Sequence, residues 1–387
     1  NSFCTLLSVL LLIPLDAMFH FDDTARLALH RDLESIADRD TKCHHYATNH
    51  ASMTLTALHS LRTLLSNDDL RAAADKCIEH YRTVTVNELR GEPTPSFGAD
   101  VDGSLTVDSE EQVWLFLGRR DAVSAVGRFL KADLLEALAR LGADAPDARR
   151  TIYGAWLGKW LGHPHVRHGV GCAAVHGILR IAFGLDCDYA PDVALGVATV
   201  ITNYHTTPKP SDAAEFVVDP QGSVDAAMLV QTLRHLEFMN ANKSTKVGGL
   251  DGRCAAFFAH PDFAPVLPRL DGGQPRLVMR NILQLAVSTF TNFHDFSALH
   301  VFTGSVAMLT LVEVMEGHVA SLAMGDLLSG FWAEALAIVL QLPAIEAKRS
   351  AACESGCEAA QEPQVEKMPR LLGVVAAAAA PLPAAGS

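Results

Sequence analysis

Residues 170–185 read VGCAAVHGILRIAFGL, and this stretch decides the fold. Its apolar residues return every three or four positions, the period of a helix with one buried face. Gly169 and Gly171 open it, and Ala173, Ala174 and Gly177 are small enough for a second helix to lie close. His176 sits in this apolar run, with Arg180 one turn on and Phe183 two turns on along the same face.

The same period recurs in 51–65, 122–141, 191–204, 224–239, 280–290, 299–314 and 322–340. A further helix is expected over 69–81, capped by Ser66, Asn67 and Asp68. Alternating Val/Ile/Thr runs with hairpin turns are nearly absent, and the segments between helices are rich in Gly, Pro and Asp (GEPTPSFGADVDGS, HTTPKPSD, HPDFAPVLPRLDGGQP). The expectation is an all-α protein: one compact multi-helix domain over 20–372 with long Gly/Pro-rich loops. Before it, residues 1–19 form an apolar segment, either a truncated helix or a signal-like run, interrupted by Pro14 and Asp16. After it, 373–387 form a low-complexity tail. No period of 20–50 residues marks a solenoid.

Composition narrows the function. Of the 387 residues 49% are hydrophobic and 19% charged, the profile of a chain with a substantial interior. A net charge of -13 without any Lys/Arg stripe excludes a nucleic-acid partner. Eight scattered cysteines are too few for a disulfide scaffold in a chain this long, and Cys353 and Cys357 have no second pair to complete a zinc site. The apolar start is short for a membrane span, so membrane attachment is not expected and the cytoplasm is the expected compartment.

The chemistry sits with histidine. His50, His176 and His300 each lie in an apolar helical segment. A buried imidazole must satisfy two ring nitrogens, and either a carbonyl or a metal can serve one of them. Ligands projecting inward from separate helices are how helical bundles hold metals. Asp295 precedes His300 and can cap its helix or orient an imidazole. The cluster His163-Pro-His165-Val-Arg-His168 is richer in ligands but surrounds a proline in a loop-like stretch. There is no HExxH, ExxH or CxxC pair, and no G-x-G-x-x-G between a strand and a helix.

Four motifs resemble those of the questin oxidase-like family, in the same order. They are Asn49-His50-Ala-Ser-Met53; Gly171-Cys-Ala-Ala-Val-His176-Gly177-Ile-Leu-Arg180; the segment from Ala194 through Tyr204 to Pro208; and Asp295-Phe296-Ser-Ala-Leu-His300-Val-Phe-Thr303-Gly304. The resemblance implies a mono- or dioxygenase that oxidises aromatic, polyketide-like substrates such as anthraquinones with O2, by ring cleavage or Baeyer–Villiger-type insertion. It also implies NADPH in some members and, in one branch, Fe(II) held by histidines and a carboxylated lysine. By motif, the ligand candidates are His50, His176 and His300. Lys367 is the lysine candidate, in Glu362-Pro-Gln364-Val-Glu366-Lys367. Arg180, Tyr204 and Asp295 are the candidates for orienting the substrate or a ligand. The chain departs from the family pattern at Phe183, Val306 and Gln364, where relatives carry histidine. Those departures support the alternative, a helical binding protein of the same family without catalysis.

Overall fold

The computed structural model describes residues 21–36, 51–88, 105–140, 146–209, 249–267, 269–293 and 295–342. Among them are twelve α-helices and no β-strand element. They are α1 (Asp23–Ile36), α2 (Ala51–Leu64), α3 (Asp68–Glu88), α4 (Glu110–Leu115), α5 (Val123–Arg140), α6 (Pro146–Leu161), α7 (His176–Asp186), α8 (Ala190–Thr202), α9 (Gly249–Phe258), α10 (Pro275–Phe293), α11 (Phe296–Met315) and α12 (Ser321–Val339). The all-α expectation holds. The chain divides into two compact units, 1–91 with 349–387, and 92–348. No linker announces the division in sequence, because the join at 91/92 falls in GEPTPSFGADVDGS, which reads equally well as a loop inside one domain.

In the first unit, α2 packs against α1 and α3. Asn67 caps α3, its Oδ1 accepting from Asp69 N at 2.8 Å and Leu70 N at 3.2 Å. The buried carboxylate of Asp32 ties the three helices together. It pairs with His59 Nε2 of α2 at 2.7 Å and with Arg82 of α3. Burial alone would raise its pKa, but the hydrogen bonds from His59 and Arg82 hold it below the usual carboxylate value.

The second unit is built round α7 and α8, joined by the three-residue turn Cys187–Tyr189. Asp188 takes a left-handed conformation in that turn (φ 54°), which a short polar side chain tolerates. Its carboxylate accepts from Arg149 Nη2 at 2.9 Å and Tyr153 OH at 3.0 Å, which clamps the turn to α6. On the other side α8 packs on α5, and α7 packs on α11. Next, α11 packs on α6, α10 and α12, and α12 also meets α9, α10 and the 3-10 turn Arg167–Gly169. α11 and α12 are long and apolar enough to cross a membrane, yet each is 72% buried over its most apolar window, as core helices are.

Glycine sets how near α7 and α8 come. A Cβ on Gly177 would meet Val200 Cγ2 at 2.5 Å, and one on Gly196 would meet the Gly177 carbonyl oxygen and Ile181 N, both at 2.8 Å. The two backbones are effectively in contact, so no larger residue fits without moving a helix. Gly196→Ala is expected to destabilise the protein by about 1–3 kcal/mol through overpacking. Chemical denaturation monitored by circular dichroism reads that shift.

Candidate functional site

The turn that precedes α7 is unusual. Ala173, Ala174 and Val175 are consecutively left-handed, with φ of 59°, 49° and 63°. Each costs an L-residue roughly 1–2 kcal/mol. The periodic run starting at 170 therefore becomes helical only at His176, six residues later than its apolar spacing suggests. What the turn achieves is local. It carries the Ala173 carbonyl to His176 Nδ1, at 2.6 Å. Val175 meanwhile packs into the notch left by Gly304 of α11, where a Cβ would lie 2.9 Å from Val175 Cγ2.

Gly304 lies one turn beyond His300, so its notch and the His300 ring share one face of α11. The close approach brings the two imidazoles together, with ring centroids 5.1 Å apart and planes at 68°. Both are buried, His176 at 8% exposure and His300 at 6%. His300 Nδ1 is held by the Phe296 carbonyl at 2.8 Å. With Nδ1 donating to a carbonyl in each, Nε2 is the nitrogen that holds the lone pair when the ring is neutral. Burial lowers the pKa of His176 further than its backbone hydrogen bond raises it, so the ring stays neutral at neutral pH.

Two imidazoles that share one cation at nitrogen distances of about 2 Å keep their ring centres roughly 5 Å apart. The pair fits that requirement. Among the described residues no group of three or more His, Cys, Asp or Glu is arranged to hold a metal. His50 and Lys367 lie outside the described residues, as does His294.

The orienting candidates have other partners. Arg180 is buried and donates from Nε and Nη2 to Asp192 Oδ1 of α8, at 3.0 and 2.8 Å. It pins α7 to α8. Asp295 caps α11, its Oδ1 accepting from Ser297 N at 2.7 Å, and the Phe296 carbonyl bonds the His300 ring. Tyr204 follows α8 half-buried, its ring lying where Gly169 leaves no room for a Cβ. Burial raises its pKa, against a hydrogen bond with Thr206. Of the loop histidines, His163 and His165 serve packing. His163 stacks on Trp114 at 4.1 Å and 14°, and His165 tilts against the same ring.

A second buried constellation escaped the sequence reading. Glu334 of α12, fully buried, pairs with His205 Nε2 at 3.2 Å. The Cys172 thiol lies against the His205 backbone, 3.3 Å from its nitrogen and 3.5 Å from its oxygen. Burial pulls the His205 pKa down, but the bonds to Cys172 and Glu334 push it up to about 11, so the ring is an imidazolium. Burial also pushes the Cys172 thiol up. The cluster therefore holds an ion pair beside a neutral thiol and anchors the start of the left-handed turn to α12. Its signal in sequence was Glu334, the one charge in the apolar run 327–342.

Compared with known proteins, the chain matches no family model, and no curated protein matches it. The motif resemblance thus stands on the residues quoted for it.

Arg180 and Asp192 are 7% and 4% exposed, so removing one strands the other's charge inside. Arg180→Ala is expected to cost about 3–5 kcal/mol, and Arg180→Ala with Asp192→Ala markedly less than the sum of the two single changes. A double-mutant cycle in urea measures this coupling.

Proposed function

We propose that the 92–348 unit is the metal-holding body of an oxidoreductase that uses O2 to oxidise an aromatic or quinone ring. One observation carries the reading. His176 and His300, from motifs far apart in sequence, converge as buried imidazoles with centroids 5.1 Å apart and Nδ1 atoms tied to carbonyls. The order of the four motifs adds the substrate class. Two histidines leave open positions on a cation, which suits Fe(II). When bound, iron supplies the one-electron steps that let O2 react with a closed-shell ring.

The chain's own residues do the rest. The Ala173 and Phe296 carbonyls fix tautomer and ring direction, the role that supporting hydrogen bonds play round metal ligands. The Arg180–Asp192 pair and the α7–α8 glycine contact hold His176 in register with α11. The strained turn at 173–175 lies directly before His176, and strain of this kind is retained where the surroundings enforce it, commonly at functional sites. Ring-cleaving dioxygenation would place both oxygen atoms in the product. A single insertion would need two further electrons from a reduced nicotinamide.

A second reading has one observation in its favour. Among the described residues no group of three or more His, Cys, Asp or Glu is arranged to hold a metal, as a metal-free binding protein of the same helical build would have it.

Metal analysis of the purified full-length chain separates the two. The oxidoreductase reading expects about one iron per chain, lost in both His176→Ala and His300→Ala while the circular dichroism spectrum is kept. A folded wild type without metal, or variants that keep the wild-type metal, would overturn it.

A further inference from the structure

A cavity of about 380 Å³ opens at the head of α12, lined by His168, Lys209, Arg269, Asp271, Ser321 and Asp326 among others. That volume lies at the lower end of small-molecule sites. Three chain segments meet there, and each is held in place. Thr207 donates to the His168 carbonyl, which fixes the segment carrying Lys209 beside the Arg167–Gly169 turn. Gly272 lies so close to the Ser321 carbonyl that no Cβ fits, and a Cβ on Gly325 would lie 2.8 Å from the Leu270 oxygen, so the segment carrying Arg269 is seated on α12.

Around the cavity Lys209, Arg269 and the adjacent Arg167 outnumber the carboxylates of Asp271 and Asp326 by one charge. Asp326 is engaged by Arg167 Nε at 2.8 Å. Asp271 accepts within its own turn, Oδ1 from Gly273 N at 2.7 Å and Oδ2 from Gln274 Nε2 at 3.4 Å, and keeps its negative charge. Lys209 and Arg269 have no carboxylate within ion-pair distance among the described residues. They remain as two cations on one small concavity. The α12 head adds to the same sign. Ala320, its cap residue, has no side chain to accept from the first-turn N–H groups, and Ser321 brings a hydroxyl.

We propose that this cavity binds the phosphate group of a small metabolite, with Lys209 and Arg269 as its cationic partners and Ser321 as a neutral donor. A tetrahedral dianion uses such a set fully, since it offers acceptors in three directions and twice the charge of a carboxylate. Arg269 can bridge two of its oxygens and Lys209 can serve as a point charge on a third. The site is separate from the histidine pair and stands whether or not that pair holds iron.

Calorimetric titration of the full chain with inorganic phosphate, at fixed ionic strength, tests the proposal. Saturable one-to-one binding is expected, weakened about tenfold or more by each of Lys209→Ala and Arg269→Ala. Both side chains are exposed, and unchanged melting of the variants checks that the fold is kept. Glycerol 3-phosphate should bind at least as tightly as inorganic phosphate, and acetate much more weakly. Absence of saturable binding, or wild-type affinity in the double variant, would overturn the proposal. So would acetate binding as tightly as phosphate, and so would exclusion of glycerol 3-phosphate, which would leave free phosphate as the ligand.

Discussion

The contact of backbone on backbone between α7 and α8 is the constraint from which the larger unit follows. Gly177 and Gly196 place the two helices at a distance that no side chain can occupy. At that distance the Arg180 guanidinium reaches Asp192, and the short turn at 187–189 can be clamped to α6 by Asp188. α7 is thereby fixed in axial position. Gly304 then lets Val175 sit against α11, which sets His300 opposite His176. Widening the first contact by one methyl group would move every later one.

The interior so formed is apolar, and several of its polar side chains are paired locally. The imidazoles of His176 and His300 are tied to carbonyls three and four residues before them, one through a left-handed turn and one through the ordinary geometry of a helix. His205 and Glu334 answer each other as ions, and Asp192 answers Arg180. These arrangements differ in consequence. In a charged pair the cationic member, imidazolium or guanidinium, has no nitrogen lone pair to give. A neutral imidazole with its proton directed to a carbonyl keeps one, which is why the histidine pair, rather than the ion pairs, is the place to look for a ligand.

Much of this was legible in the sequence, and what was not has identifiable causes. The periodic runs at 51–65, 122–141, 191–204 and 299–314 correspond closely to α2, α5, α8 and α11, because in each the apolar face and the helical span coincide. The run at 170–185 overreaches, since a spacing rule cannot detect three residues that turn the other way. α6 was passed over. Gly154 and Gly158 lower its propensity, and their purpose, a close seat against the end of α11 and the loop after it, appears only in three dimensions. The pairing of His176 with His300 was available from the motifs. The commitment of Arg180 to Asp192 was not, because nothing in a single chain of letters ranks one buried carboxylate above another as its partner.

The account rests on both imidazoles being neutral, with their protons on Nδ1. Long-range ¹H–¹⁵N correlation spectra of the folded chain, assigned with His176→Gln and His300→Gln, report this directly. Two Nδ1-protonated neutral rings at neutral pH are predicted. An imidazolium, or a proton on Nε2, at either position would contradict the geometry on which the histidine site is built.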